Sequence, residues 1–466
     1  MRTTGASWLS RVAATAFVSV VLTTVFVQRS EAWSLEDAAK PYAGTEVRGI
    51  CDGYSPCLAY IEMAKKFEQL TGIKVVLEVA DLEAVWRQVL ADQLTGGQYY
   101  DLFPAANNQT AVFAAPGYAT DLARFLDDPA LRDPSFKLED FVQAHFRVSG
   151  YYQEKLVSLP YHYLPPYAVL RTSLAAHPDE QANFRANYGY DLPVPPTTWE
   201  QFRDLAEFFT RKKGETLAGE VLEKDFYGTV ATFKRHITVF YNFERILLGM
   251  GGEYANEASE VMIDDEDIAV RALQFMLDLR AFAPPGVTEA TWDTEYAEMC
   301  NGNVFTIFTW GDTTPFLEIP ADCPASAGDM TYFPHPGTHL TGAYGQSWII
   351  LSSAKNPDAA WLFIQWLSSK ESQTECMALG CLAVRSDVLR DPRWRDPSWP
   401  NGQREATHIW LEDTGKLYWL PNTPNWLPWQ EIIDEELSAA GADQQDATTT
   451  IANIARRMRA AASPNN

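Results

Sequence analysis

Apolar residues recur along this chain in two rhythms, one of helical spacing and one of short continuous runs. Their alternation predicts helices interleaved with buried strands. Ser55-Pro56 reads as a cap followed by proline at the first helical position. Ile61, Ala64, Phe67 and Leu70 then share one helix face, and Gly72 ends it. Ile73-Lys74-Val75-Val76-Leu77 follows as a β-branched strand. Asp81 predicts the cap of a second helix with Leu82, Val85, Trp86, Val89 and Leu90 on its apolar face. That helix stops at Gly96-Gly97, and Tyr99 to Phe103 predicts another strand. Such alternation builds a parallel sheet covered by helices.

The middle of the chain is more helical. Thr197-x-x-Glu200 predicts a capping box opening a helix to about Arg211. His236 to Met250 predicts another, closed by Gly251-Gly252, and Asp264 to Asp267 precede a helix with Ala269, Leu273, Met276 and Leu277 on one face. Asn301-Gly302 turns into the apolar strand Val304 to Phe308, and Gly345 to Leu351 is a further strand. Asn356-Pro357-Asp358 opens a helix with Ala360, Phe363, Ile364 and Leu367 inward; the remainder is helical, broken by Pro-rich stretches at 392–400 and 421–428. No internal repeat is visible. The pattern predicts an α/β protein of two lobes with no single linker between them.

Charge and cysteines narrow the function classes. Lys+Arg number 37 against 61 Asp+Glu, a net charge of −24 over 466 residues, with no clustered basic run, so nucleic acid is not an expected partner. With 46% hydrophobic residues the chain is neither disordered nor fibrous. Arg2 and Arg11, the 16-residue apolar run Val12 to Val27, and Ser30-Glu31-Ala32 predict a cleaved export leader over residues 1–32. A membrane anchor is the rival reading, and the run falls short of the roughly 20 residues that spanning requires. No cysteine follows the run to carry a lipid, and no Arg-Arg pair marks a folded-export signal. Six cysteines fit an exported chain. Their spacing favours the pairs Cys51/Cys57, Cys300/Cys323 and Cys376/Cys381, although other connectivities stay open. Metal binding is disfavoured because no Cys-x-x-Cys occurs and the seven His are scattered.

Several segments, in order, resemble the bacterial extracellular solute-binding proteins of ABC importers, in the carbohydrate-binding group that includes maltodextrin-binding proteins. Phe67 to Val75 is similar to that family's first helix-strand junction. Leu159-Pro160-Tyr161, followed by Tyr167 to Leu170, resembles its crossover into a second lobe. Pro196-Thr197-Thr198-Trp199-Glu200-Gln201-Phe202 resembles a recurrent helix start, and Cys300 to Val304 with Trp310-Gly311 a recurrent strand. Gly342 to Ser352 and Lys355 to Trp361 resemble its Gly-rich strand and the helix after it. Cys381 to Arg385 stands at a turn where the family carries a proline before the arginine, which this chain lacks.

The resemblance implies a two-lobe periplasmic-binding-protein fold of type II, closing like a flytrap on one solute. Residues 33–164 and 335–380 would form one lobe, and 165–334 and 381–466 the other. It further implies a non-catalytic, cofactor-free monomer in the periplasm that delivers a carbohydrate or polyol to a permease of the inner membrane.

Sugars present C–H faces and hydroxyl rims, so a site for them combines aromatic platforms with amides, carboxylates or arginine. The chain has 15 Trp and 20 Tyr, most of them expected in cores. Trp310 ends an apolar strand and precedes Gly311-Asp312, the kind of position where ligands bind in α/β proteins; its family counterpart stacks on sugar. Asp312 would accept hydroxyls or cap a turn. Asn107-Asn108-Gln109 follows a strand at a helix start, where Asn also serves as a cap. Tyr344 and Gln346 flank Gly345 at a strand entry, Tyr161 and His162 lie near the first crossover, and Arg385 would reach the cleft or pair with surface acid. Tyr241 and Trp429 align with platforms of the resembled family.

Two other functions compete. A relative of the same fold could take a non-sugar solute. An exported glycoside hydrolase would share the acidic and aromatic composition, but it needs two carboxyl groups across one bond, and no such pair is evident at strand ends. The acidic run 264–267 complements a helix dipole, and Asp434-Glu435-Glu436 reads as a solvated helix face. No Gly-x-Ser-x-Gly or His-Glu-x-x-His occurs.

Overall fold

A computed structural model describes residues 33–395 and 402–462. The expected leader, and residues 396–401 of the Pro-rich stretch, lie outside the described residues.

Two sheets organise the chain. Strands β1 (Glu46–Asp52), β2 (Lys74–Ala80), β3 (Leu102–Ala106) and β4 (Leu159–Leu164) build the first with a late strand. Strands β5 (Pro166–Arg171), β6 (Thr306–Trp310) and β7 (Met330–Phe333) build the second, and β8 (Tyr344–Ile350) is the late strand that returns to the first. The first sheet has the order β2-β1-β3-β8-β4, and the second β6-β5-β7. β1 runs parallel to β2 and β3, while β8 is antiparallel to β3 and β4; in the second sheet β5 is antiparallel to both neighbours. The chain passes from sheet to sheet at Pro165, between β4 and β5, and again between β7 and β8.

The helices follow from apolar spacing and caps. α1 (Ser55–Thr71) has proline in its first turn and ends at Gly72, whose φ of 71° is the left-handed geometry that glycine adopts without a Cβ clash. α2 (Leu82–Leu94) begins after Asp81, whose side chain makes no capping bond. The box predicted at Thr197 and Glu200 does not form. α3 (Trp199–Phe209) is capped by Thr198, which accepts from the Gln201 amide, while the Gln201 side chain accepts from the amide of Thr197, the residue before the cap. α4 (Ile237–Gly249) is buried along its whole length, and α5 (Ile268–Asp278) and α6 (Trp292–Cys300) follow. α7 (Pro357–Leu367) and α8 (Lys370–Ala378) come after β8; α9 (Gly402–Asp413), α10 (Trp426–Gly441) and α11 (Ala447–Ala461) end the chain.

Aromatic packing fills both layers. Phe125 stacks on Trp361 at 5.1 Å under the first sheet, and Phe202 stacks on Phe308 at 5.5 Å over the second. Strands β3 and β6 sit later than predicted. β3 covers 102–106 rather than 99–103, because Asp101 is spent on the Arg48, Lys355 and Asn356 amides. β6 covers 306–310, which brings Trp310 inside the strand. Asp434-Glu435-Glu436 is not a solvated face. Asp434 is buried and Glu436 is tied to Arg457 at 2.6 Å, because α10 packs against α11. Asp264 of the acidic run pairs with Arg459.

The cysteines pair as Cys51–Cys57, Cys300–Cys323 and Cys376–Cys381. Cys300–Cys323 spans 23 residues against 6 and 5 for the others. Since cross-linking constrains the unfolded chain more for longer loops, replacing Cys300 and Cys323 by serine should cost the most, about 3 kcal/mol, against about 2 kcal/mol for either short pair. Urea unfolding of the three double-serine variants would show this ranking, and equal losses would contradict it.

Candidate functional site

A cleft of about 570 Å³, partly open to solvent, lies between the two sheets. One wall comes from the first sheet and its loops: Asp52 at the end of β1, Tyr54, Leu82 and Trp86 of α2, Ala106 at the end of β3 and Gln109 after it, Leu164 of β4, and Tyr344-Gly345-Gln346 of β8. Facing it are Tyr241 of α4, Trp292 of α6, Trp310 of β6, Asp312 and Thr313. The walls touch. Tyr54 meets Trp292 edge-on at 6.4 Å, and Tyr344 meets Tyr241 at 4.7 Å and Trp310 at 5.4 Å.

Backbone shape delivers these groups. At Gly345 a Cβ would lie 2.6 Å from the His162 carbonyl oxygen and 2.7 Å from His145 Nε2, so only glycine lets β8 pass there. The register of β8 on β4 shifts between Gln346 and Ser347, a bulge of the kind that re-aims side chains. At Gly311 a Cβ would meet Leu382 at 2.3 Å. The Gly311 carbonyl accepts from Arg404 at 2.7 Å, which anchors the turn before Asp312.

Acidic groups are sunk in and behind both walls. Burial pushes Asp52 up to about 6, against the hydrogen bond it receives from Gln346. Burial, then the charge of Asp52 opposite, push Asp312 up to about 8. Behind Tyr344, Glu244 accepts its hydroxyl hydrogen bond and is raised by burial to about 8. Arg245 lies 4.6 Å from the Trp310 ring centre, on Asn242, which in turn donates to Glu295, raised by burial to about 7. Gln109 and Gln346 are at most 5% exposed, and each has a side-chain carbonyl oxygen with no hydrogen-bond partner. These oxygens are acceptors held ready for a donor.

Of the residues singled out from the sequence, Trp310, Asp312, Tyr344, Gln346 and Tyr241 are brought together here. The others do not line the cleft. Asn107 donates to the Ala343 carbonyl at 2.7 Å, tying β3 to the entry of β8, and Asn108 is buried beside it. Tyr161 packs edge-on against Trp348 at 4.6 Å, and His162 is buried next to it, held neutral with its value pushed down to about 3 by burial. Arg385 pairs with Asp140 at 2.9 Å and Asp387 at 3.0 Å, the acid pairing that was the second of its two readings. Trp429 is fully buried between the terminal helices, its indole donating to the Met458 carbonyl. Asp52, Tyr54, Trp86 and Trp292 were not anticipated. The absence of a carboxyl pair at strand ends is also overturned, because Asp52 ends β1 and Asp312 follows β6.

Two sheets joined by crossing strands, with a walled cleft between them, define a solute-binding protein of the two-lobe type. Residues 58–374 match the family described as "Bacterial extracellular solute-binding protein", and the chain belongs to that family. It is 23% identical over 385 residues to the probable amino-acid ABC transporter periplasmic-binding protein y4oP of Sinorhizobium fredii, covering 82% of this chain and 81% of that one. It is 22% identical over 346 residues to the erythritol/L-threitol-binding protein of Mycolicibacterium smegmatis, covering 71% and 68%. A solute-binding protein of an Agrobacterium radiobacter ABC transporter, solved in complex with ribitol, superposes with a TM-score of 0.74 at 21% identity, covering 90% of this chain and 100% of that one. The fold is that of the type II periplasmic binding proteins. Among the described residues no helix is long and apolar enough to cross a membrane.

The buried acids set a pH dependence. Their raised values mean that the stability they contribute is full below the ordinary carboxyl value and is lost as pH rises through about 7 to 8. His145 and His162, both pushed down to about 3, act in the opposite direction and only below their ordinary 6.5. Between pH 6.5 and 8.5 the acids therefore dominate. The melting temperature of the ligand-free protein should fall across that interval, with up to about 1.4 kcal/mol per pH unit from each carboxyl that titrates. Glu244→Gln should fall less steeply than wild type. Identical, flat profiles would show that Glu244 is not held protonated.

Proposed function

We propose that this chain captures a carbohydrate or polyol in the periplasm, closes two lobes on it and hands it unaltered to an ABC permease of the inner membrane. The observation that carries this reading is the composition of the cleft. Aromatic rings from both walls offer stacking faces, and Asp52, Asp312, Gln109 and Gln346 ring them with hydroxyl partners. Similar proteins that bind erythritol or L-threitol, or that were solved with ribitol, support a polyol, while another relative is an amino-acid transporter's binding protein.

Residues 33–164 with 335–380 form one lobe in this proposal, and 165–334 with 381–466 the other. The stretch 381–389 lies close to the first, since the Val142 amide donates to the Val384 carbonyl. Export would follow removal of residues 1–32, and the protein would act as a monomer. Asp52 and Asp312 give the hydrolase reading a footing, being two carboxyls in one cleft with the second raised by burial. The binding reading is favoured because the family consists of transporter binding proteins.

A thermal-shift screen of the protein lacking residues 1–32 against sugars, polyols and charged metabolites tests both. A ligand at 100 times its Kd should stabilise by about 2.7 kcal/mol. Recovery of the intact solute by chromatography supports binding, whereas its consumption supports hydrolysis. Trp310→Ala should weaken binding of the hit by about 1–3 kcal/mol in calorimetry, the scale of a stacking aromatic. Unchanged affinity would remove Trp310 from the site.

A further inference from the structure

We propose that the captured solute carries a protonated amine beside its hydroxyls, an aminopolyol or amino sugar, with the cation held between Asp52 and Asp312 and against the aromatic rings of the cleft. This rests on the polyol reading above and narrows it. The argument begins with sign. Carboxyls enter the cleft from both walls, and among the described residues no lysine, arginine or histidine lines it. A neutral polyol can donate to a carboxyl, but it brings no charge to offset an acid ionised beside a second one, both at most 4% exposed. An ammonium group brings that charge together with three donors.

The rings agree with the carboxyls. Tyr54, Trp86, Tyr241, Trp292, Trp310 and Tyr344 surround the same space. Aromatic faces are negative, and several of them around one point attract a cation more strongly than any would alone. The nearby protein cations lie behind the walls rather than in the cleft. Arg404 is buried against Glu405 and the Gly311 carbonyl, and Arg245 sits behind Trp310 on Asn242. The open carbonyl oxygens of Gln109 and Gln346 supply acceptors for the donors of such a solute. At long range, a chain charge of −24 draws cations rather than anions.

The pair also predicts a proton signature. Asp52 faces Asp312, Tyr54 and Tyr161; Asp312 faces Asp52, Tyr54, Tyr161, Tyr296 and Arg404. In the empty cleft at pH 7 burial keeps a proton on Asp312, and an arriving ammonium favours the ionised form, so binding releases that proton to buffer. A neutral twin leaves it in place.

Titration calorimetry at pH 7 on matched pairs tests this with the wild-type protein lacking residues 1–32: D-sorbitol against 1-amino-1-deoxy-D-sorbitol, D-glucose against D-glucosamine, and erythritol against its monoamine. The amine should bind at least about tenfold more tightly than its hydroxyl twin. Its enthalpy should change with the ionisation enthalpy of the buffer, while that of the twin should not. Asp312→Asn should shrink the ratio between twins. Neutral members that bind as tightly as their amines would overturn the amine and leave the polyol reading standing. If neither member of any pair binds, the polyol reading falls and this inference with it. Choline, a cation without the polyol, should bind more weakly than the aminopolyols; choline binding more tightly than every pair would likewise overturn the aminopolyol.

Discussion

The structure depends on keeping acidic groups in a space that water scarcely reaches. Asp52 and Asp312 face the cleft, Glu244 and Glu295 stand behind its wall, and burial raises all of them. Unpaired buried charge is expensive, so each group must hold a proton, accept hydrogen bonds or await a counter-charge. Glu244 is met by the Tyr344 hydroxyl, Glu295 by Asn242, and Asp52 by Gln346. The cleft is therefore part of a polar network that runs through the packing of α4 and α6 rather than a hollow between finished lobes.

The cleft-facing members of that network are held by covalent and ionic clamps. Cys51–Cys57 bridges the segment carrying Asp52 and Tyr54, and Cys300–Cys323 brackets β6 and the turn with Asp312. Arg404, from the Trp- and Pro-rich C-terminal region, reaches the Gly311, Gly380 and Cys381 carbonyls. One guanidinium thus joins the third disulfide to the Asp312 turn. A side chain held by packing and hydrogen bonds loses less freedom on binding, which is the physical benefit of such bracing.

The sequence made legible what depends on local spacing. Helices with a proline entry or a glycine exit, such as α1, stand where the pattern puts them, and the sequential disulfides follow from proximity along the chain. Trp310 and Asp312 were legible because a strand end followed by polar residues is a local signal. Arg385 and Trp429 misled for the opposite reason. What an arginine or tryptophan touches is decided by partners far along the chain, here Asp140 and Met458. Asp52 was missed because β1 carries no apolar alternation strong enough to announce a strand end. Its opposition to Asp312 spans 260 residues and has no local trace.

In the proposed closure, the same groups would serve closing and recognition. Tyr344 belongs to the first sheet, yet its hydroxyl is bound by Glu244 of a helix that packs toward the second, and its ring rests on Tyr241 and Trp310. Separating the walls would break that bond and give water to Glu244 and Asp312, whose protonation persists only while they are buried. Solvation of these acids favours the open form, and the aromatic contacts favour the closed one. A solute that satisfies the carboxyls without water removes the main advantage of opening. Its contribution to closure is the differential interaction it makes with both walls at once, as a ligand-driven hinge requires.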